Sequence, residues 1–252
     1  MFSIFLACVW IFFGELYGNF VGWGSIVTQF FLQNILHFDI KHAIALDNAA
    51  VIGSELGVFL MLLKHHKIKN WMIGFLFVAS IWATFGATLL YYIPESYIKI
   101  LFTVSLFLVL LKNFSQNKKN VWKKHFIPTL KNICWLYFAW IILSVYNALM
   151  SIGDFTFALL TFMFIFYFSY QESLFLITFW FIFARGVATI SYLHYGLIPI
   201  DYFIPMFFTA TISWLIGWYF VQKVHTDILE KVLKVFWVCI WLYLALNIFW
   251  II

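Results

Sequence analysis

The sequence predicts an all-α, multi-pass membrane protein made of two inverted repeats, each a broken helical hairpin followed by three transmembrane helices. Three observations carry that prediction. Of 252 residues, 65% are hydrophobic and 10% charged, with a mean hydropathy of +0.98, which is more apolar surface than the core of a soluble domain can hide. Long apolar stretches interrupted by glycine and small polar residues occur twice, at Phe2 to Leu36 and at Ile133 to Tyr167. The lysines fall in short loops between apolar spans, the pattern of cytoplasmic loops.

In chain order, the first stretch is interrupted at Gly14, Gly18, Asn19, Gly22, Gly24 and Ser25. A broken helix is tolerated in lipid only where protein or a water-lined cavity satisfies the freed backbone groups, so the interruption marks a binding site. The N-terminus has no basic n-region, and the segment from Phe2 is too long and too interrupted for an h-region. The first segment is therefore expected to stay in the mature protein. Three spans follow, Ala43 to Leu63, Trp71 to Tyr92 and Tyr97 to Leu111, and complete repeat 1 over residues 1–112. Residues 113–131, with Lys118, Lys119, Lys123, Lys124 and Lys131, read as a basic cytoplasmic linker. Repeat 2, residues 132–252, has its own broken stretch and the spans Ser173 to Leu193, Tyr202 to Val221 and Ile228 to Ile252. Each span is long enough to cross, or nearly cross, a bilayer.

The halves superpose at a shift of about 130 residues, which lays Gly24 on Gly153, Asn70-Trp71 on Asp201-Tyr202 and Gly86 on Gly217. If each broken stretch enters and leaves on one side, the halves are inverted and twelve of the fifteen basic residues fall on a single side. The positive-inside bias favours that arrangement, with both termini outside.

Several function classes are set aside. The loop lysines do not form a nucleic-acid surface, and Cys8, Cys134 and Cys239 are isolated in apolar segments, so they read as small buried hydrophobes. The 33 phenylalanines are read as lipid contacts and interface anchors. His65-His66 lies in a lysine-rich loop, and neither HExxH, a deep Ser-His-Asp set nor a nucleotide-binding glycine loop occurs. No enzyme activity, cofactor or resident metal is implied, and the expected partners are the lipid bilayer and a small anion; the sequence leaves the oligomeric state open.

The break residues supply the chemistry. A half-helix beginning near Ser25 points its free N–H groups and positive dipole end at the break, and such ends hold anions without a charged side chain. Gly22 and Gly24 let backbone approach a ligand closely, or else serve only tight helix packing. In half two, Asp154 follows Ser151 and Gly153 and reads as an N-cap, a proton carrier or a cation ligand. Asn19 and Asn147, at corresponding breaks, either donate amides to a ligand or cap the half-helices. Arg185, the only arginine, lies mid-span and needs a partner: the substrate, Asp154 or Glu172. Asn48 and Glu55 share one helical face, and Asp47 and Ser54 an adjacent one. Glu55, Asp154 and Asp47 are the candidates for proton coupling, because a carboxyl at that depth is either paired or protonated; Glu15 carries the same ambiguity.

Taken in order, Gly18-Asn19-Phe20-Val21-Gly22-Trp23-Gly24-Ser25, Ala43-Ile44-Ala45-Leu46-Asp47-Asn48, Lys67-Ile68-Lys69-Asn70-Trp71 and Gly86 resemble the pattern of the sulfite exporter TauE/SafE family, also called TSUP. Ser151-Ile152-Gly153-Asp154, Gly196 to Tyr202 and Gly217 supply the matching points in half two. The chain departs from the pattern in its reduced glycine run, in the missing proline at Thr28-Gln29-Phe30 and in Asp154, where a small neutral residue is common. The resemblance implies a secondary transporter of the bacterial inner membrane that moves a small, often sulfur-containing anion such as sulfite or a sulfonate. The breaks and the mid-span arginine, read on their own chemistry, make Asn19, Gly22, Gly24, Ser25, Asn147, Ser151, Gly153 and Arg185 the candidates for substrate contact. The alternative is a divalent metal transporter: Phe38-Asp39-x-x-His42-x-x-Ala45-x-Asp47-Asn48 resembles part of a nickel/cobalt transporter signature, although Lys41 stands where that motif has an acid.

Overall fold

The computed structural model describes residues 2–21, 24–101, 103–104, 126 and 128–221. The expected linker and the spans Tyr97 to Leu111 and Ile228 to Ile252 lie wholly or largely outside them. The described secondary structure is helical throughout: α1 (Phe2–Val21), α2 (Gly24–Asn34), α3 (Ile40–Leu62), α4 (Asn70–Tyr92), α5 (described over 95–101), α6 (Leu130–Met150), α7 (Asp154–Leu160), α8 (Tyr170–His194) and α9 (Ile200–Val221). A π-helical turn, Thr161–Ile165, extends α7. Five of these helices, α3, α4, α6, α8 and α9, contain a segment long and apolar enough to cross a membrane.

Local chemistry fixes the helix ends. Asp39 opens α3 by accepting from the N–H groups of Lys41 at 3.0 Å and His42 at 3.1 Å. Ser169 and Glu172 form a capping box that opens α8. Such caps are each worth about 1 kcal/mol. The two hairpins end alike: His37 and Tyr167 are left-handed, with φ of 56° and 58°, and Phe38 N–H donates to Leu32 O just as Phe168 N–H donates to Phe162 O.

These pairs share one offset. Gly24 and Asp154, Ile40 and Tyr170, and Asn70 and Ile200 open corresponding helices, while His37 and Tyr167 close corresponding hairpins, each pair 130 positions apart. The repeat is thus written in element boundaries more clearly than in residue identity.

The packing repeats as well. α4 packs on α6 and α8, and α9 packs on their counterparts α1 and α3. α3 packs on its own counterpart α8, and the two run antiparallel: Asn48 meets Tyr192, Glu55 meets Arg185 and Phe59 meets Phe179. α1 and α2 form an antiparallel hairpin in which a Cβ on Gly24 would fall 2.5 Å from Gly14 O, so these glycines allow backbone-to-backbone approach. α6 and α7 form the second hairpin, in which Tyr146 packs on Phe157 and Trp140 on Phe162.

Small residues on α3, Ala43, Ala45, Ala49 and Ala50, are completely buried at the centre, and Trp140, Trp180, Phe75 and Phe162 fill the space between α4, α6 and α8. Ile73, Phe77, Ile81 and Phe85 form an exposed apolar stripe on α4, as Ile200, Ile204, Phe208 and Ile212 do on α9. Stripes of that kind suit lipid and not water. Cys8 is half-buried and Cys134 exposed, which corrects the expectation that both are buried; Cys134 is on the outer surface of α6. Cys239 lies outside the described residues.

Candidate functional site

The second break is built by two left-handed residues, Ser151 (φ 52°), which ends α6, and Gly153 (φ 66°), which precedes α7. Tyr146 OH pins the turn between them by donating to Ile152 O at 2.6 Å. At the first break, α1 ends at Val21 and α2 begins at Gly24. Gly22 and the side chain of Asn19 lie outside the described residues.

Both breaks converge on α3. Asp47 Oδ2 accepts from Ser151 Oγ at 3.0 Å and from Gln29 Nε2 at 3.1 Å, with the Ser25 side chain beside the same carboxyl. Gln29 Nε2 reaches Met150 O as well, at 3.1 Å. One carboxyl therefore joins α2, which opens at the first break, to Ser151 of the second, and one amide ties α2 to the end of α6. On the same face of α3, Ser54 Oγ donates to Glu15 Oε2 at 2.5 Å.

The adjacent face of α3 looks toward α6 and α8. Asn48 Nδ2 donates to Asn147 O at 2.8 Å and to Tyr192 OH at 3.2 Å, while Tyr192 OH donates to Ala148 O. One helical repeat on, Glu55 Oε1 is 3.4 Å from Arg185 Nε. Arg185 Nη2 donates to Asp154 Oδ2 at 2.6 Å, and Asn147 Nδ2 donates to the same oxygen. The seven-residue spacing seen in the sequence thus resolves into two polar faces.

Arg185 is 2% exposed, Asp154 3%, and Asp47 and Asn147 are fully buried. Among the described residues Arg185 is the buried cation, and four buried carboxyls surround it: Glu15, Asp47, Glu55 and Asp154. Several polar atoms here have no hydrogen-bond partner within the protein: Gln29 Oε1, Asp47 Oδ1, Asn48 Oδ1, Asn147 Oδ1, Glu55 Oε2 and Arg185 Nη1. Buried polar atoms in such numbers are costly unless a ligand or water meets them.

Two expectations need correction. Asp154 is the first residue of α7 and not its N-cap, which is Gly153; Asp154 Oδ1 does accept from an N–H of its own helix, that of Phe155 at 2.7 Å, while its Oδ2 is committed to Arg185. Glu172 does not serve Arg185, because it is engaged in the capping box with Ser169. Asp39 and His42 pair with each other at the start of α3, while Asp47 turns to Gln29 and Ser151. Among the described residues no group of three or more His, Cys, Asp or Glu is placed to hold a metal ion. Gln29 and Tyr192 were missed in the sequence. Tyr192 lies seven residues past Arg185, on the same face, and Gln29 one turn past Ser25, so helical spacing was the available signal.

No curated protein and no solved structure matches the chain. The family model described as Sulfite exporter TauE/SafE matches residues 6–244. Covering nearly the whole chain, that match places the protein in the TauE/SafE family of membrane transporters.

Proposed function

We propose that the protein is a secondary transporter of a small sulfur-containing anion, such as sulfite or a sulfonate, in the inner (cytoplasmic) membrane. Its halves, residues 1–112 and 132–252, are inverted around the site. The antiparallel contact of α3 with its counterpart α8 supports the inversion, since a two-fold axis exchanging antiparallel neighbours crosses both at right angles. Lysine placement supports the sidedness. Lys64, Lys67 and Lys69 gather in the loop between α3 and α4, at the opposite end of the bundle from the Ser3–Tyr202 and Tyr91–Tyr195 contacts.

The observation that carries the functional reading is the meeting of both breaks at Asp47, through Ser151 and Gln29, beside a buried arginine whose Nη1 has neither a hydrogen bond nor an ion pair. An oxyanion there would take donors from Arg185, Ser25, Ser151 and Asn147, with the first amides of α2 adding their dipole end. Gly24 and Gly153 would allow backbone approach, and Asn19 and Gly22 would complete the first break. Glu55, Asp154 and Asp47 are the groups available to move a proton. Alternating access follows from one half rocking against the other.

Flux into proteoliposomes with a panel of sulfite, thiosulfate, sulfonates and carboxylates tests the reading. Sulfur oxyanions should enter, and Arg185→Ala should lower rate over apparent affinity constant by at least about tenfold. Unchanged flux in Arg185→Ala would remove the proposed anion contact.

A further inference from the structure

Arg185 is already engaged. Its Nη2 holds Asp154 Oδ2 and its Nε faces Glu55 Oε1, with Nη1 left free. An anion arriving at this guanidinium meets two carboxyls in contact with it and two more nearby, Asp47 on α3 and Glu15 on α1. Phe181, also on α8, and Tyr192 complete the surroundings without adding positive charge. Even with the other three carboxyls neutral, a bound anion would be a second negative group beside Asp154 on one guanidinium, in a site shielded from water.

The geometry points to an exchange: the Asp154 carboxylate occupies the substrate's place on Arg185, and the anion takes that place when Asp154 accepts one proton. This inference rests on the anion reading above and names its coupling ion and stoichiometry. Asp154, and not Glu55, is assigned the exchange because its oxygen is hydrogen-bonded to the guanidinium, whereas Glu55 is at ion-pair distance without hydrogen-bond geometry.

Asn147 is placed to hold Asp154 in both forms. Its Nδ2 donates to the carboxylate, and its Oδ1 has no partner, so a turn of the amide offers an acceptor to the new O–H. The step balances. One proton from the aqueous side bonds to Asp154 Oδ2, the Asp154–Arg185 hydrogen bond breaks, and the anion's oxygens take Nη2 and Nη1. On the other side the anion leaves, the proton returns to water and the internal pair re-forms. A monoanion then crosses with one proton and no net charge.

Methanesulfonate is the probe, because a sulfonate stays ionised and any pH effect belongs to the protein. With the potential clamped at zero, a one-unit pH gradient should drive about tenfold accumulation into proteoliposomes. Asp154→Asn should lose that response and follow the membrane potential instead, whereas Glu172→Gln, in the capping box that opens α8, should keep it. Should Asp154→Asn prove inert in flux, titration of solubilised protein decides. The wild type should take up one proton per methanesulfonate bound, and Asp154→Asn should bind it without proton uptake. Wild type that binds methanesulfonate without proton uptake, Asp154→Asn that still accumulates it down the pH gradient, or Asp154→Asn that still takes up a proton on binding would each overturn the exchange. Wild type that neither binds nor moves sulfite or methanesulfonate would overturn the anion reading itself, and the exchange with it.

Discussion

Replacing Arg185 by Gln strands two carboxyls, and the cost can be bounded from the site. Asp154 Oδ2 is 2.6 Å from Nη2 and Glu55 Oε1 is 3.4 Å from Nε, all three side chains being less than a tenth exposed. At an effective dielectric of about 20, unit charges about 4 Å apart attract by about 4 kcal/mol, in line with the roughly 3–5 kcal/mol lost when one partner of a buried pair is removed. Arg185→Gln should therefore destabilise the fold by about 3–5 kcal/mol. Adding Asp154→Asn removes one stranded charge and should return part of the loss, giving a coupling energy of about 2–3 kcal/mol in the double-mutant cycle. Denaturant unfolding of purified protein in micelles, followed by tryptophan fluorescence, reads both quantities, because Trp140 and Trp180 are fully buried. An Arg185→Gln protein within about 1 kcal/mol of wild type, or a cycle with no coupling, would show that the guanidinium is not what stabilises these acids.

Three further outcomes follow from the packing. Gly24→Leu should loosen the first hairpin by about 1–3 kcal/mol, since its Cβ would lie 2.5 Å from Gly14 O, whereas Gly186→Ala, with open space at its Cβ, should be neutral or stabilising in the same unfolding assay. Gln29→Leu leaves Met150 O and Asp47 short of a donor, so it should cost about 1–3 kcal/mol for each and slow flux by weakening the joint between the breaks. A cysteine at Ser96 should be labelled by an impermeant thiol reagent only from outside the cell, and one at His65 only in inverted vesicles; the opposite pattern would reverse the assigned sidedness.

Much of the fold was legible because lipid imposes a simple code. The spans read as Ala43 to Leu63 and Trp71 to Tyr92 are α3 and α4 to within three residues at either end, since an apolar run of bilayer length bounded by lysines or a proline has few other solutions. The break at Ser151 to Gly153 was visible as small and polar residues in an apolar run, a signal that overreached in the first stretch, where α1 continues unbroken through Gly14, Gly18 and Asn19 because the glycines there serve helix packing. What was not legible depended on geometry between halves. Nothing in the local sequence shows that Gln29 spans to the carbonyl of Met150, or that Asp47 joins both breaks, because those partners are 121 and 104 residues away. Asp154 read as a cap because an Asp after a glycine commonly is one. For Arg185 it was one of three partners the sequence left open, and choosing among them required the third dimension.

The meeting of Glu55 with Arg185 explains why residue identities between the halves are so few where they matter. The two positions differ by the same 130 residues that separate the starts of α2 and α7, α3 and α8, and α4 and α9, so in the inverted arrangement proposed above they are one position facing itself across the axis. An identical charged residue in both copies would place like charges in contact, out of water, which is strongly unfavourable. Opposite charges remove that conflict, and the pair remains compatible with either half adopting the other's conformation. The exchange Glu55→Arg with Arg185→Glu should accordingly keep the axial pair while turning a carboxylate toward Asp154, which would lose its cation. The doubly exchanged protein should be less stable than wild type and regain stability on addition of Asp154→Asn. Equal stability without that third change would mean that Asp154 draws nothing from the guanidinium, and that the asymmetry between the halves serves the axis alone.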